Sequence, residues 1–462
     1  MLVPGQRVHF VGIGGVGISA IARVMCQQGY VVSGSDRRLN ALTAALQHEG
    51  VAVFEGHDAG HVGDAELVIV SSAIPADNPE VQAARQRGIP VLKRADILGE
   101  LMLGHTGVAV AGTHGKTTTT AMLVHILCET GRDPTYIVGG IVPSTGTNGG
   151  VGRGPVFVVE ADEYDNMFLG LRPQVGVITN VEHDHPDLFP TMGDLVHAFN
   201  QFAARVAPEG VLVVCADDPV ALALGNNRKV LGWPVVTYGL YNPGADWQAS
   251  DWQPNNAGGM NFTLGDRGGH EVLGRVMLRV PGAHNVQNAL AALIVVDHLG
   301  VPLAEALAAL ATFAGAQRRF EVRGQAHGVT VIDDYAHHPT AIRRTLEAAR
   351  ARYPQATIWA VWQPHTYSRL RTLFDAFAAA FVPQDVDHVL ITDVYGAREQ
   401  ASEGPGVPEL IAEMTHPDVR HTPALEDAVA LLRAETKPGD VVIILSAGDA
   451  NQIGEALLAR AG

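Results

Sequence analysis

Short apolar runs alternate along this chain with stretches of helical period, and the alternation restarts twice. A short Val/Ile/Leu run bounded by glycine or charge reads as a buried strand. Apolar positions three and four apart read as one face of a helix. The first unit opens with a strand over Arg7 to Val11, a glycine turn, and a helix from Val16 to about Gln28. A strand over Tyr30 to Ser33 leads to Asp36, Leu67 to Ser71 forms another, and Asn78 to Arg87 reads as a helix before the short strand at Val91. The second unit begins with a strand over Gly107 to Ala111 and a helix from Lys116 to about Thr130, then strands over Val156 to Val159, Val175 to Thr179 and Val211 to Cys215. Residues 241–275 are rich in Asn, Gly, Asp and Trp and predict antiparallel excursions; helices follow over Ala289 to Leu299 and Leu303 to Phe313. The third unit predicts strands over Val329 to Ile332, Thr357 to Trp362, His388 to Thr392 and Val441 to Leu445. Its helices run over Thr340 to Ala351, Leu370 to Phe381 and Leu425 to Glu435. Such alternation predicts three α/β units built on mostly parallel sheets, over residues 1–105, 106–320 and 321–462.

Composition supports large packed cores. Of 462 residues, 47% are hydrophobic and 17% charged. The net charge of −16 disfavours nonspecific nucleic-acid binding. Cys26, Cys128 and Cys215 show neither disulfide nor zinc spacing and point to a reducing compartment. Neither a signal peptide nor an apolar run long enough to span a membrane is present. The expectation is a cytoplasmic protein with no membrane insertion, a monomer or weak homodimer.

Two glycine loops carry the first chemistry. Gly12, Gly14, Gly15, Val16 and Gly17 lie in a G-x-G-x-x-G turn between strand and helix. There, backbone amides and a helix N-terminus favour a diphosphate, and Asp36 can meet a ribose hydroxyl. NAD or any other nucleotide diphosphate suits this turn. The second loop, Gly112-Thr113-His114-Gly115-Lys116-Thr117-Thr118, is a short G-x-x-G-K-T. It can cradle ATP phosphates, with Lys116 neutralising charge and the Thr117 hydroxyl holding Mg²⁺.

Other candidates sit at strand ends, where a parallel sheet forms its ligand crevice. Glu160 and His185 can complete a metal shell beside the phosphate loop; read without that loop, a helix-cap acid and a surface histidine are the favoured reading. Asn285 and Asn288 can hold a nucleotide edge, or Asn285 can be a plain N-cap. Arg319, in Arg318-Arg319-Phe320, can reach a γ-phosphate on domain closure or be half of a solvated pair. Asp333-Asp334-Tyr335-Ala336-His337-His338-Pro339 and Gln363-Pro364-His365-Thr366-Tyr367-Ser368-Arg369 end successive strands, so their loops are expected to neighbour each other. Arg369 can bind a carboxylate.

Taken in order, these motifs resemble the Mur ligase family from end to end. The residues carrying the resemblance are the turn at Gly12, V-S-G-S-D at Val32, G-T-H-G-K-T-T-T at Gly112, E-A-D-E at Glu160, N-V-E-x-D-H at Asn180, P-G-x-H-N-V-x-N-A at Pro281, R-R-F at Arg318, D-D-Y-A-H-H-P at Asp333 and Q-P-H-x-Y-S-R at Gln363. The resemblance implies a Rossmann-like UDP-sugar-binding domain, a P-loop-type central ATPase domain and a Rossmann-like C-terminal amino-acid-binding domain. It redirects the first loop from NAD to UDP, with Ser71 beside it. It implies that Lys116 and its loop bind ATP, that Thr117, Glu160 and His185 hold Mg²⁺, and that Asn285, Asn288, Arg319 and Asp334 touch the nucleotide. His337 and Arg369 are implied to receive L-alanine, with His337 as a candidate base; Lys116, Glu160, His185, Arg319 and His337 form the catalytic set. The implied reaction joins L-alanine to the lactyl carboxylate of UDP-N-acetylmuramate through an acyl phosphate, in peptidoglycan precursor synthesis.

Two departures refine the resemblance. Members that add later residues carry a carbamylated lysine, and Asp194 to Val206 contains no lysine, as in the alanine-adding branch. Thr366 stands where many alanine-adding members have arginine, which leaves Arg369 as the main carboxylate anchor. The alternative within the family is a recycling ligase that attaches a whole peptide to UDP-muramate. An NAD-dependent oxidoreductase leaves the Gly112 loop unexplained. A noncatalytic nucleotide switch leaves the C-terminal strand-end residues unexplained.

Overall fold

A computed structural model describes residues 2–266, 271–397, 399–400 and 404–459. Among these residues the strands form three sheets of five, ten and six strands. The chain is a three-domain α/β protein, as the alternation predicts.

The first sheet contains β1 (Arg7–Val11), β2 (Val31–Asp36), β3 (Ala52–Glu55), β4 (Leu67–Val70) and β5 (Val91–Lys93). All are parallel, in the order β3-β2-β1-β4-β5. The order reverses between β1 and β4. The Gly12 turn leaves β1 there and Ser71 follows β4, so both stand at the topological switch point where α/β sheets bind ligands.

The second sheet contains β6 (Thr106–Ala111), β7 (Thr135–Val142), β8 (Thr147–Gly150), β9 (Val156–Glu160), β10 (Val175–Ile178), β11 (Val211–Cys215), β12 (Val235–Gly239), β13 (Trp247–Pro254), β14 (Met260–Gly265) and β15 (Val272–Met277). Its order is β15-β14-β13-β12-β11-β10-β6-β9-β7-β8. The expected antiparallel excursion is the edge β13-β14-β15. The strand β6 is central and buried from Gly107 to Ala111, which explains its unbroken apolar run. Its neighbours β9 and β10 deliver Glu160 and Thr179 beside the loop that leaves β6.

The third sheet contains β16 (Glu321–Ala326), β17 (Val329–Asp334), β18 (Ile358–Trp362), β19 (His388–Ile391), β20 (Val419–His421) and β21 (Val441–Leu445). Its order is β16-β17-β21-β18-β19-β20. The unit therefore opens on β16, one strand before the predicted start; β16 is a half-exposed antiparallel edge with little apolar signal. The successive strands β17 and β18 do not pair. The last strand, β21, lies between them, and it is the most apolar stretch of the unit.

Two helices differ from expectation. The helix predicted from Ala289 begins at Ala283, so Asn285 lies inside its first turn and is no N-cap; Gly282 holds that position. The helix predicted over Leu370 to Phe381 breaks at Leu373 into Tyr367–Thr372 and Phe374–Ala378.

Candidate active site

A cavity of about 760 Å³ opens where the three units meet. Its wall combines Val16, Gly17 and Arg94 of the first unit with the loop Thr113 to Thr118, Glu160 and His185 of the second, and Arg319, Asp334, His337 and Arg369 beyond. That volume suits a nucleotide and a second substrate.

The loop after β6 is shaped by close approaches. Gly115 has φ 83°, and a side chain there would strike Asn288, so glycine is required on both counts. Asn288 donates to the Asn285 side-chain oxygen (3.1 Å), and Asn285 donates to the Pro281 carbonyl (2.7 Å). The asparagine pair thus braces the loop from behind. Asn180 braces it from the side: its oxygen accepts from His114 N (2.8 Å) and its amide donates to His114 O (3.1 Å).

Lys116 bridges Gly112 O (2.5 Å) and both oxygens of Glu163 (3.0 and 2.7 Å). Burial works to lower its pKa, but Glu163, Asp162 and Glu160 outweigh burial and raise it. The ammonium is therefore fixed in the charged form. The Thr117 hydroxyl donates to Glu160 Oε1 (3.0 Å) and accepts from Arg319 Nη2 (3.0 Å). Glu160 Oε2 accepts from Gly139 N (2.6 Å). Thr117 and Glu160 thus place two oxygen donors side by side beside the phosphate loop, a fit for Mg²⁺. His185 sits with Glu163 and Asp184, 3.8 Å from each, and its ring meets the Tyr164 edge at 5.0 Å.

Arg319 also stacks on Tyr335, 5.0 Å from the ring centre. Asp334 spends its carboxylate on the linker, accepting from Phe320 N and Ala336 N (2.7 Å each). Arg318 and Phe320 flank Arg319 with φ 56° and 48°, and His185 and Thr366 share positive φ. Four non-glycine residues with left-handed backbone thus lie at or beside the cavity.

At the far end, Arg369 donates to Asp184 Oδ1 (2.7 Å), to His365 Nδ1 (3.2 Å) and to His185 Nδ1 (3.4 Å). Burial works to raise Asp184, but His185 and Arg369 hold it well below the usual carboxylate range. His337 donates from Nδ1 to Tyr335 O (2.8 Å). Burial and Arg369 push its pKa well below the usual value. His337 is therefore neutral, with a free Nε2 lone pair, and is a weak base. The His337 and His365 rings lie 5.8 Å apart, so the two loops meet although their strands do not pair.

The first glycine turn differs from its simplest reading. Gly12 N and Ile13 N donate to Ser35 O, Gly14 N donates to Asp36 Oδ2 (2.8 Å), and Asn40 donates to Gly14 O (3.0 Å). Asp36 clamps the turn, and those amides are spent within the protein. Of the expected UDP-binding residues, Val16 and Gly17 line the cavity; Gly12, Gly14, Gly15, Asp36 and Ser71 do not. Arg94 lies against Gly17 and 3.5 Å from Asp162.

Sequence reasoning missed Arg94, Asp162, Glu163, Glu182 and Asp184. The acidic ones fall inside the two quoted motifs E-A-D-E and N-V-E-x-D-H. Arg94 carries no motif.

The chain matches the Mur ligase family, catalytic domain, over residues 7–106. It matches the Mur ligase middle domain over 110–296 and the Mur ligase, glutamate ligase domain over 318–448. The UDP-N-acetylmuramate–L-alanine ligase of Rubrobacter xylanophilus is 44% identical over 460 residues, covering 98% of this chain and 100% of the relative. That of Roseiflexus sp. is 43% identical, covering 98% of each. The crystal structure of a UDP-N-acetylmuramate–alanine ligase from Thermotoga maritima aligns with TM-score 0.82 at 30% identity, covering 98% of each chain. A murein peptide ligase from Psychrobacter arcticus aligns with TM-score 0.74 at 26% identity, also covering 98% of each. Three successive matches, full-length relatives and a cavity built from all three units lead to one conclusion: the chain belongs to the Mur ligase family.

Proposed function

We propose that this chain uses ATP to join L-alanine to the lactyl carboxylate of UDP-N-acetylmuramate, releasing ADP and phosphate, in peptidoglycan precursor synthesis. The observation carrying this reading is the cavity where the three units meet. It sets the Lys116 loop, the Thr117–Glu160 oxygen pair and the Arg369–His337 end on one continuous wall. We assign residues 1–105 to the UDP-sugar, 106–320 to ATP and 321–462 to the amino acid. From these substrates we infer a cytoplasmic reaction.

In the first step a lactyl carboxylate oxygen attacks the γ-phosphorus and ADP leaves. Lys116 and Arg319 neutralise the charge that develops on the transferring oxygens. Thr117 and Glu160, with His185 nearby beside Glu163 and Asp184, would hold Mg²⁺, which would supply further neutralisation when bound. In the second step the alanine nitrogen attacks the acyl carbon, the ammonium proton having left, and phosphate departs. Arg369 has one Nη2 N–H left for the alanine carboxylate after serving Asp184, His365 Nδ1 and O, and His185. His337 offers the Nε2 lone pair to the amine as a hydrogen-bond acceptor. Val16 N, Gly17 N and Arg94 form the diphosphate seat at a helix N-terminus. Enclosure between units protects the acyl phosphate from water.

The peptide-recycling alternative is disfavoured by the full-length relatives. Those at 43–44% identity are alanine ligases, whereas the murein peptide ligase structure is 26% identical. The intermediate is tested by trapping. With ATP, Mg²⁺ and UDP-N-acetylmuramate but no amino acid, hydroxylamine should yield the muramyl hydroxamate and ADP in equal amounts. ADP without hydroxamate would contradict the acyl phosphate.

A further inference from the structure

His114, Glu182 and His338 converge where the ATP loop touches the C-terminal unit. His114 Nε2 lies 2.8 Å from Glu182 Oε2, and His338 Nδ1 lies 3.8 Å from the same oxygen. The three ligating atoms all fall within 4.8 Å of one another.

The hydrogen bonds fix the His338 tautomer. Its Nε2 faces the His183 backbone oxygen at 3.3 Å, which can only accept, so Nε2 carries the proton. Nδ1 therefore presents a lone pair, and it accepts from Thr340 N at 3.3 Å. Burial holds the ring neutral, its pKa pulled down to about 4. Burial works to raise Glu182, yet the hydrogen bonds from His114 and Thr340 and the attraction of the neighbouring imidazoles together outweigh it and bring the carboxyl to about 2. A lone pair and an ionised carboxylate thus face each other with no proton between them. A cation at that point turns a repulsion into coordination.

We propose that His114, Glu182 and His338 form a second metal site, suited to a borderline divalent ion such as Zn²⁺, that bridges the central and C-terminal units. Two nitrogens and an oxygen suit Zn²⁺ and not Mg²⁺, which takes oxygens. Zinc–nitrogen bonds of about 2.0 Å in a tetrahedron set neighbouring donors roughly 3.3 Å apart. The observed 2.8 and 3.8 Å bracket that spacing. Outer partners are already in place. Thr340 Oγ1 donates to Glu182 Oε1 at 2.7 Å, and His183 O holds the His338 N–H. Binding replaces the His114–Glu182 hydrogen bond, the proton of the neutral His114 ring moving from Nε2 to Nδ1, and the long Thr340–His338 bond. None of the three ligands is among Thr117, Glu160 and His185. With two ligands on the ATP unit and one on the C-terminal unit, an ion here ties the two together. The proposal does not depend on which amide the enzyme makes.

The test is zinc uptake by the full chain after chelator treatment, measured against a chromophoric chelator in excess Mg²⁺. One ion per chain is expected. His338→Ala should weaken uptake by more than about a hundredfold, and Thr340→Val by about tenfold, as for an outer-shell partner. Glu182→Gln, which keeps the fold's hydrogen bonds, should repeat the His338→Ala result and guards against a folding defect in that variant. Zinc-edge absorption should show only nitrogen and oxygen donors. Uptake unchanged in both ligand variants, sulfur donors from the free thiols Cys26, Cys128 or Cys215, displacement by Mg²⁺, or no stoichiometric uptake would each overturn the site.

Discussion

Lys116 and Glu163 are 47 residues apart in sequence and form a buried ion pair beside the phosphate loop. The pair keeps a cation charged in a place that would otherwise discharge it. Lys116→Ala should lower turnover by at least about a thousandfold, since it removes a charge aimed at the transferring phosphoryl group. UDP-sugar binding, measured by calorimetry, should persist. Retained turnover would remove Lys116 from this role. Lys116 was legible because its loop has a fixed spacing. Glu163 was not, because nothing local distinguishes it from Asp162; only the fold aims it at the lysine. A second buried acid, Glu80, shows the same limit. Burial raises it, but His9 at 3.6 Å and hydrogen bonds from Ser35 (2.5 Å) and His61 (3.0 Å) bring it to about 2. The folded value is lowered, so its stabilisation is present above the ordinary value near 4.5 and is lost as pH falls toward 2. The shift corresponds to roughly 3 kcal/mol. Glu80→Gln should flatten the loss of stability across that window in urea titrations at stepped pH. An unchanged acid limb would contradict the assignment.

Helix Val16–Gln27 and the strand pair β7–β8 lock the first unit to the second. Asn148 on β8 donates to Val16 O (2.7 Å) and Ser19 Oγ (2.9 Å) and accepts from buried Arg23, which also binds Glu49 (2.7 Å). The helix whose first turn we assign to the diphosphate is thus held by the neighbouring unit. Asn148→Ala leaves the Arg23 guanidinium and the Ser19 hydroxyl under-partnered. It should destabilise the fold by about 2 kcal/mol in urea unfolding and weaken UDP-sugar binding. A change in stability with binding intact would separate the lock from the seat. The main strands and helices were readable from apolar runs and helical period. The exposed β16 edge, the insertion of β21 between β17 and β18, and the start of the Ala283–His298 helix were not. Edge strands lack the apolar run, strand order depends on packing between distant segments, and helix ends depend on capping.

The three units act through the cavity they share. Arg319 reaches Thr117, and Arg369 reaches Asp184 and His185, so the C-terminal side is in register with the ATP loop. Asp184→Asn leaves Arg369 buried and uncompensated. It should cost about 3 kcal/mol of stability and raise the KM for the amino acid more than that for ATP. Equal changes in both would contradict a role at the amino-acid end. Fold class and the ATP loop were open to a reading of residues alone; the acceptor carboxylate and the amine entered through family resemblance. Choice of amine therefore decides which ligase reaction this chain performs. The direct measurement is phosphate release with ATP, Mg²⁺ and UDP-N-acetylmuramate, adding L-alanine, glycine, L-serine or tripeptide separately. The account predicts the fastest release with L-alanine, matched by formation of the amide product. Turnover with tripeptide alone would identify a peptide-recycling ligase, and no release with any acceptor would contradict the ligase itself.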